Sequence, residues 1–167
     1  WKVTVVDTGL NTMTGGPCKR IHKYVENESF LTYGDAVSNV NISNLLEFHK
    51  KHGKICTLTS VSIAQQKGVL DIDSDDNITA FREKEDTDGA VINGGYMVCN
   101  PEIFKYLIDD KTVFEQEPMK KLASEGQLKG FYHDGFWQCM DTKEKRICLK
   151  NYGNQGKHLG KCGKNNV

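Results

Sequence analysis

The stretch SFLTYGDAVSNVNISNLLEFHKKHGKICTLTSV, residues 29–61, decides the fold. Ser29–Tyr33 is a short apolar run closed by Gly34-Asp35, and it reads as a strand ending in a turn. Leu45, Leu46 and Phe48 then share one side of a helix whose other side carries Lys50 and Lys51, with Ser43 as the expected N-cap. Lys54–Val61 is rich in β-branched residues and reads as a second strand. Strand, helix and strand in this rhythm predict an α/β domain built on a mixed, mostly parallel sheet covered by helices.

Working upstream, Lys2–Val6 is a β-branched run and a further expected strand. Thr14-Gly-Gly-Pro opens a helix in which Ile21, Tyr24 and Val25 recur at helical spacing. Downstream, Gly68–Ile72 and Ile78–Arg82 flank DSDDN, residues 73–77, and predict a hairpin whose acids face solvent rather than calcium. Val91–Cys99 is a strand interrupted by Gly94-Gly95, the mark of a bulge or of close approach by a backbone or ligand. Helices are expected from Asn100 to about Leu107 and over Glu115–Ser124, and a strand over Gln127–Tyr132. That strand runs into FYHDGFWQCMDT, residues 131–142, with its acids, histidine and two large aromatics.

A chain of 167 residues is long enough for one domain with its own core. No apolar run approaches the roughly 20 residues of a membrane helix, so no membrane partner is expected. The first residues do not resemble a signal peptide. Opening on Trp1 rather than methionine, the chain reads as a piece or a processed product. None of the six cysteines forms a CxxC pair, which argues against zinc, and without an export signal reduced thiols in the cytoplasm are expected. Residues 143–167 hold seven Lys/Arg and one acid, against a net charge of zero for the whole. A basic tail of this kind is a solvated extension or a nucleic-acid arm.

Several residues carry potential chemistry. Asp35 stands at the carboxyl end of an expected parallel strand, over the crevice where α/β folds take ligands. Asp141 follows the late aromatic cluster, and two such carboxylates can share one Mg²⁺, which binds through one or two carboxylates, substrate phosphates and waters. Glu83-Lys84 is either a solvated pair or a phosphate-binding lysine with its neighbour. Asn93-Gly94-Gly95 offers a carboxamide and exposed backbone to a polar ligand such as a sugar. His49 and His52 share one helix face. Their lysine-rich surroundings predict solvent exposure, not a metal site. His133, beside Asp134, is a candidate for orienting its loop.

Taken in order, WKVTVVDTG, MTGG, LTYGDAVSNV, VLDI, FREK, INGGYMV, FEQEPMKKLASEGQL and HDGFWQCMDT resemble the glucose-1-phosphate cytidylyltransferases, over Trp1 to about Thr142. The resemblance implies a Rossmann-like, nucleotide-diphosphosugar-transferase sheet lacking its first strands. It implies transfer of a cytidylyl group from CTP to glucose 1-phosphate, giving CDP-glucose for surface polysaccharides such as O-antigen. Asp35 and Asp141 would hold Mg²⁺, Lys84 would meet the sugar phosphate, and Glu83 and Asn93 would bind glucose hydroxyls. Tyr33, Gly34 and Gly94 would line the substrate. The intact family protein would be a cytoplasmic homo-oligomer without nucleic-acid partners.

The departures are as specific. The family's glycine-rich GTR loop, which cradles the nucleotide phosphates, has no counterpart in residues 1–167. Pro17 and Gln66 stand where the family has arginines, and Ala36, Asn39, Glu85 and Cys139 also depart from its motifs. Weak CTP binding and a marginally stable fold are therefore expected, and the alternative function is a non-catalytic remnant or a sugar-phosphate-binding fragment. Residues 143–167 leave the family pattern and its helical period, so the chain divides into a partial nucleotidyltransferase domain, 1–142, and a tail. Read one base over, the tail's codons can encode REKNMLEKLWKSGKAPWKVW. Gly153, Gly160 and Gly163 then supply the GG of three tryptophan codons. A reading-frame slip near Thr142 is the expectation, and it displaces the nucleic-acid arm.

Overall fold

The computed structural model describes residues 2–63, 69–72, 78–82 and 90–154. In chain order the elements are α1 (Gly15–Arg20), a 3-10 turn (His22–Tyr24), β1 (Ser29–Thr32), β2 (Ala36–Ser38), α2 (Ile42–His52), β3 (Cys56–Ile63), β4 (Val69–Ile72) and β5 (Ile78–Arg82). There follow β6 (Ala90–Cys99), a second 3-10 turn (Pro101–Tyr106), α3 (Glu117–Ser124), β7 (Leu128–His133), β8 (Trp137–Cys139) and α4 (Lys143–Asn154).

The main sheet has the order β1-β6-β3-β7. β6 is antiparallel to both β1 and β3, while β3 and β7 are parallel. The sheet is therefore mixed, as the α/β reading requires. β1, β3 and β7 share one direction and β6 is reversed. The reversal has a local cause: no helix among the described residues intervenes between β3 and β6, and a strand returning without a crossover lies antiparallel to its neighbour. The expected hairpin is present as β4 paired with β5.

Helices cover both faces. On one face Cys56, Met97, Cys99, Ile103, Leu107, Phe114 and Leu122 form the buried cluster, with Met119 packed against it. Burial of side chains of this size contributes roughly 1.5–3 kcal/mol each. Cys56 and Cys99 face each other across β3 and β6, their sulfurs 3.7 Å apart. Asn100 N donates to Ile55 O just beyond them, so the two cysteines occupy a non-hydrogen-bonded pair, the register that brings side chains closest.

On the other face α2 packs through Leu45, and through Phe48 onto Phe131. Here the sequence expectation fails for His49, which is 2% exposed. Its Nδ1 lies 2.7 Å from Thr57 Oγ1 and its Nε2 3.1 Å from Asn100 Oδ1. His52 Nε2 also meets Thr57 Oγ1, at 2.7 Å. Lys50 and Lys51, between the two histidines, are exposed while the imidazoles turn inward to Thr57 and Asn100, and His52 Nδ1 accepts the Lys54 N–H at 2.9 Å. The cap of α2 also differs. Asn41, not Ser43, accepts the Asn44 N–H at 3.0 Å, and Ser43 sits inside the first turn.

Two further segments depart from expectation. Residues 2–6 belong to no ladder; residues 2–5 are exposed, Val5 at 91%, and Val6 is half-buried. A β-branched run becomes a strand only where an edge pairs with it. Conversely, Lys143–Asn154, where no helical period is legible, forms α4. Thr142 starts it, accepting the Lys145 N–H on Oγ1 and the Arg146 N–H on its carbonyl.

Candidate functional site

The carboxyl ends of β1, β3 and β7 and the amino end of β6 gather at one edge of the sheet. There β1 passes through Tyr33-Gly34-Asp35 into β2, and β7 passes through residues 134–136 into β8. β2 and β8 pair antiparallel, Ala36 opposite Cys139, Val37 opposite Gln138 and Ser38 opposite Trp137. The ladder extends one step further, with Met140 N donating to Asp35 O at 2.7 Å. Asp35 is thus opposite Met140, next to Asp141. Two acids more than a hundred residues apart in sequence are brought to one ribbon end by backbone pairing.

The ribbon is held down at several points. Trp137 Nε1 donates to Gly94 O at 2.7 Å and Tyr96 OH to Ala36 O at 3.0 Å. Ser38 Oγ donates to Phe136 O at 2.9 Å and lies 3.2 Å from His133 Nε2, so the histidine closes the loop before β8. Phe136 packs edge-on to Tyr152 of α4.

Tyr33 and Asn93 meet beside this ribbon. β6 opposes Ser60 with Asn93, and the register against β3 shifts between Leu58 and Ser60. The irregularity lies where the two glycines were read as a bulge. Asn93 Oδ1 accepts the Gly95 N–H at 2.8 Å. The Tyr33 ring lies over Gly95, whose φ is 78°. A Cβ there would stand 2.8 Å from Tyr33 Cδ2. Gly34 has nothing within 4 Å of where a Cβ would sit, so the space beside Asp35 is open.

A carboxylate not singled out in the sequence completes this corner. Glu115 Oε1 accepts from Tyr33 OH at 2.5 Å and Oε2 accepts from Thr14 Oγ1 at 2.6 Å. Thr14 Oγ1 in turn accepts the Phe114 N–H at 2.9 Å. Burial opposes ionisation of Glu115, but the bonds from Thr14 and Tyr33 outweigh it and hold the carboxyl below its usual range. Tyr33 is pushed well above the ordinary tyrosine value, first by burial and then by its bond to Glu115. The phenol is therefore a donor to an ionised carboxylate.

Asp141 is also partnered. Lys145 Nζ lies 3.0 Å from Oδ1 and 3.1 Å from Oδ2, with Cys139 Sγ 3.5 Å from the same ammonium. The bond from Lys145, followed by one from Cys139, lowers the Asp141 pKa. Lys145 was not anticipated, because its segment carried no motif. Glu83 and Lys84 lie outside the described residues, as does the acid-rich turn 73–77. No group of three or more potential metal ligands occurs among the described residues. Asp35 and Asp141 are exposed oxygen donors at one ribbon end, the ligand type that a hard divalent cation takes. No helix among the described residues is long and apolar enough to cross a membrane.

A mixed α/β sheet with acids gathered at its strand ends defines a nucleotide-handling class, and residues 12–142 match the nucleotidyl transferase family model. The chain belongs to that family. It is 45% identical over 159 residues to the glucose-1-phosphate cytidylyltransferase of Salmonella typhi, covering 94% of this chain and 62% of that protein. The figures are the same for the Salmonella typhimurium LT2 protein of that name. The chain thus spans 62% of the length of these relatives. The crystal structure of HddC from Yersinia pseudotuberculosis shares the fold, with a TM-score of 0.62 at 21% identity, covering 85% of this chain and 64% of that one.

Proposed function

We propose that this protein serves the transfer of a cytidylyl group from CTP to glucose 1-phosphate, forming CDP-glucose and pyrophosphate. The observation that carries this reading is the β2–β8 ladder, which sets Asp35 beside the Met140–Asp141 turn at the open end of the sheet. The 45% identity to proteins named for this reaction supports it. A phosphate oxygen of glucose 1-phosphate attacks the α-phosphorus of CTP in line. The bond from that phosphorus to the bridging oxygen breaks, and pyrophosphate leaves with the electron pair. Catalysis of this kind is positioning and charge neutralisation.

Each residue then has a task. Asp35 and Asp141 would hold Mg²⁺, which would neutralise phosphate charge. Asn93 and Glu83 bind glucose hydroxyls, Lys84 meets the sugar phosphate, and Tyr33, Gly34 and Gly94 form the wall of the subsite. The test is pyrophosphate release by the full chain with CTP, Mg²⁺ and glucose 1-phosphate. Release is expected to depend on all three and to fall at least about 100-fold in Asp141→Asn. No release above the blank overturns transfer by this chain.

Lys145 on Asp141 favours a second reading, sugar-phosphate binding without transfer. Calorimetric binding of glucose 1-phosphate with no pyrophosphate release would select it. We propose further that residues 143–167 are encoded one base out of frame. The codons of Tyr152, Leu159 and Cys162 then end in T. Another base at those positions in the encoding DNA overturns the slip.

A further inference from the structure

We propose that His49, His52, Thr57 and Asn100 form a closed ring of hydrogen bonds that latches the end of α2 to the sheet and opens when His52 takes a proton. The direction of every bond follows from groups that have no choice. The Lys54 N–H only donates, and it meets His52 Nδ1 at 2.9 Å. The Lys54 carbonyl only accepts, and it takes the Asn100 Nδ2–H at 3.0 Å. Asn100 therefore turns Oδ1 to His49, and the 3.1 Å contact there places a proton on His49 Nε2. His52, accepting on Nδ1, carries its proton on Nε2 and donates it to Thr57 Oγ1 at 2.7 Å. The Thr57 hydroxyl has one hydrogen, and it goes to His49 Nδ1, also at 2.7 Å. A second proton on His49 would leave that hydrogen, in a fully buried side chain, facing two donors. The bonds thus run from the Lys54 N–H back to the Lys54 carbonyl through two neutral imidazoles.

The ring joins α2, the amino end of β3 and the residue after β6, at the end of the sheet away from Asp35 and Asp141. A proton added to His52 lands on Nδ1 and confronts the Lys54 N–H, donor against donor, so the ring breaks at that joint. The titratable groups bearing on His52 are His49, Lys129 of β7 and Lys54, all of them bases. Glu28, before β1, bears on His49 and pairs with Lys50 at 2.8 Å.

The test is NMR on the full chain and needs no substrate. At about pH 8, imidazole ¹⁵N shifts are expected to show both histidines as Nε2–H tautomers. From about pH 8 to about pH 5, hydrogen-exchange protection of the Lys54 amide is expected to fall about threefold or more as His52 titrates, while Met97 in the centre of the sheet keeps its protection. His52→Gln removes that pH dependence. Thr57→Val, which keeps the shape and removes the hydroxyl, uncouples the pair, so His49 signals no longer follow the titration of His52. A proton on Nδ1 of either histidine at about pH 8, Lys54 protection that ignores pH, His49 signals that follow His52 in Thr57→Val, or equal loss at Lys54 and Met97 would each overturn the proposal.

Discussion

Gly95 shows how much a single position decides at this site. Its φ of 78° and the Tyr33 ring beneath it both exclude a side chain. Gly95→Ala is expected to cost about 1–3 kcal/mol in urea unfolding, from the left-handed backbone and the displaced ring together. It should also disturb Asn93, whose oxygen bonds the Gly95 N–H. Asn93 and its glycines were legible because glycine inside a strand calls for a structural reason. Glu115 was not legible. Within FEQEP it reads as one more acid near a helix start, and its partners lie too far away in sequence for any spacing rule to reach.

Among the elements, α2 carries the clearest tests. Asn41→Ala removes the acceptor of the Asn44 N–H and is expected to cost about 1 kcal/mol in thermal unfolding, while Ser43→Ala changes stability far less. The inward histidines give the same helix a pH dependence. Burial first, and then the charges of His49, Lys129 and Lys54, depress the His52 pKa. The unfolded chain therefore binds a proton that the folded chain resists, so stability is full above about pH 6.5 and falls as the pH drops below it. Melting temperatures measured from pH 8 to 5 should show this loss, and His52→Gln should flatten it. The helix itself was legible from its apolar spacing. The burial of His49 was not, because neighbouring lysines suggest a wet face and only tertiary contacts show which flank of the helix Thr57 and Asn100 meet.

For the whole molecule, the α/β class followed from periodicity, whereas the reversed direction of β6 and the pairing of distant edges did not. Residues 2–6 have strand composition without a ladder, and residues 143–154 lack helical periodicity yet form α4. Local composition proposes an element, and the rest of the chain disposes of it. α4 then reaches back to the site through Lys145, whose pair with Asp141 is half exposed on the acid's side, at 53%. Exposed pairs contribute little, so Lys145→Met should tighten Mn²⁺ binding only modestly, by up to about fivefold, read by electron paramagnetic resonance. An unchanged affinity would mean that the ammonium does not compete for the carboxylate.

The facing thiols of Cys56 and Cys99 have a consequence for handling the protein. Each shields the other from solvent, and their mutual hydrogen bond followed by burial raises the Cys99 pKa well above that of an ordinary thiol. Only thiolates react with electrophiles at appreciable rates. The centre of the sheet thus holds a sealed pair of reagent-silent sulfurs, while Cys148 stays open to labelling. The slow phase of alkylation, followed by mass spectrometry, becomes a clock for opening of the sheet itself.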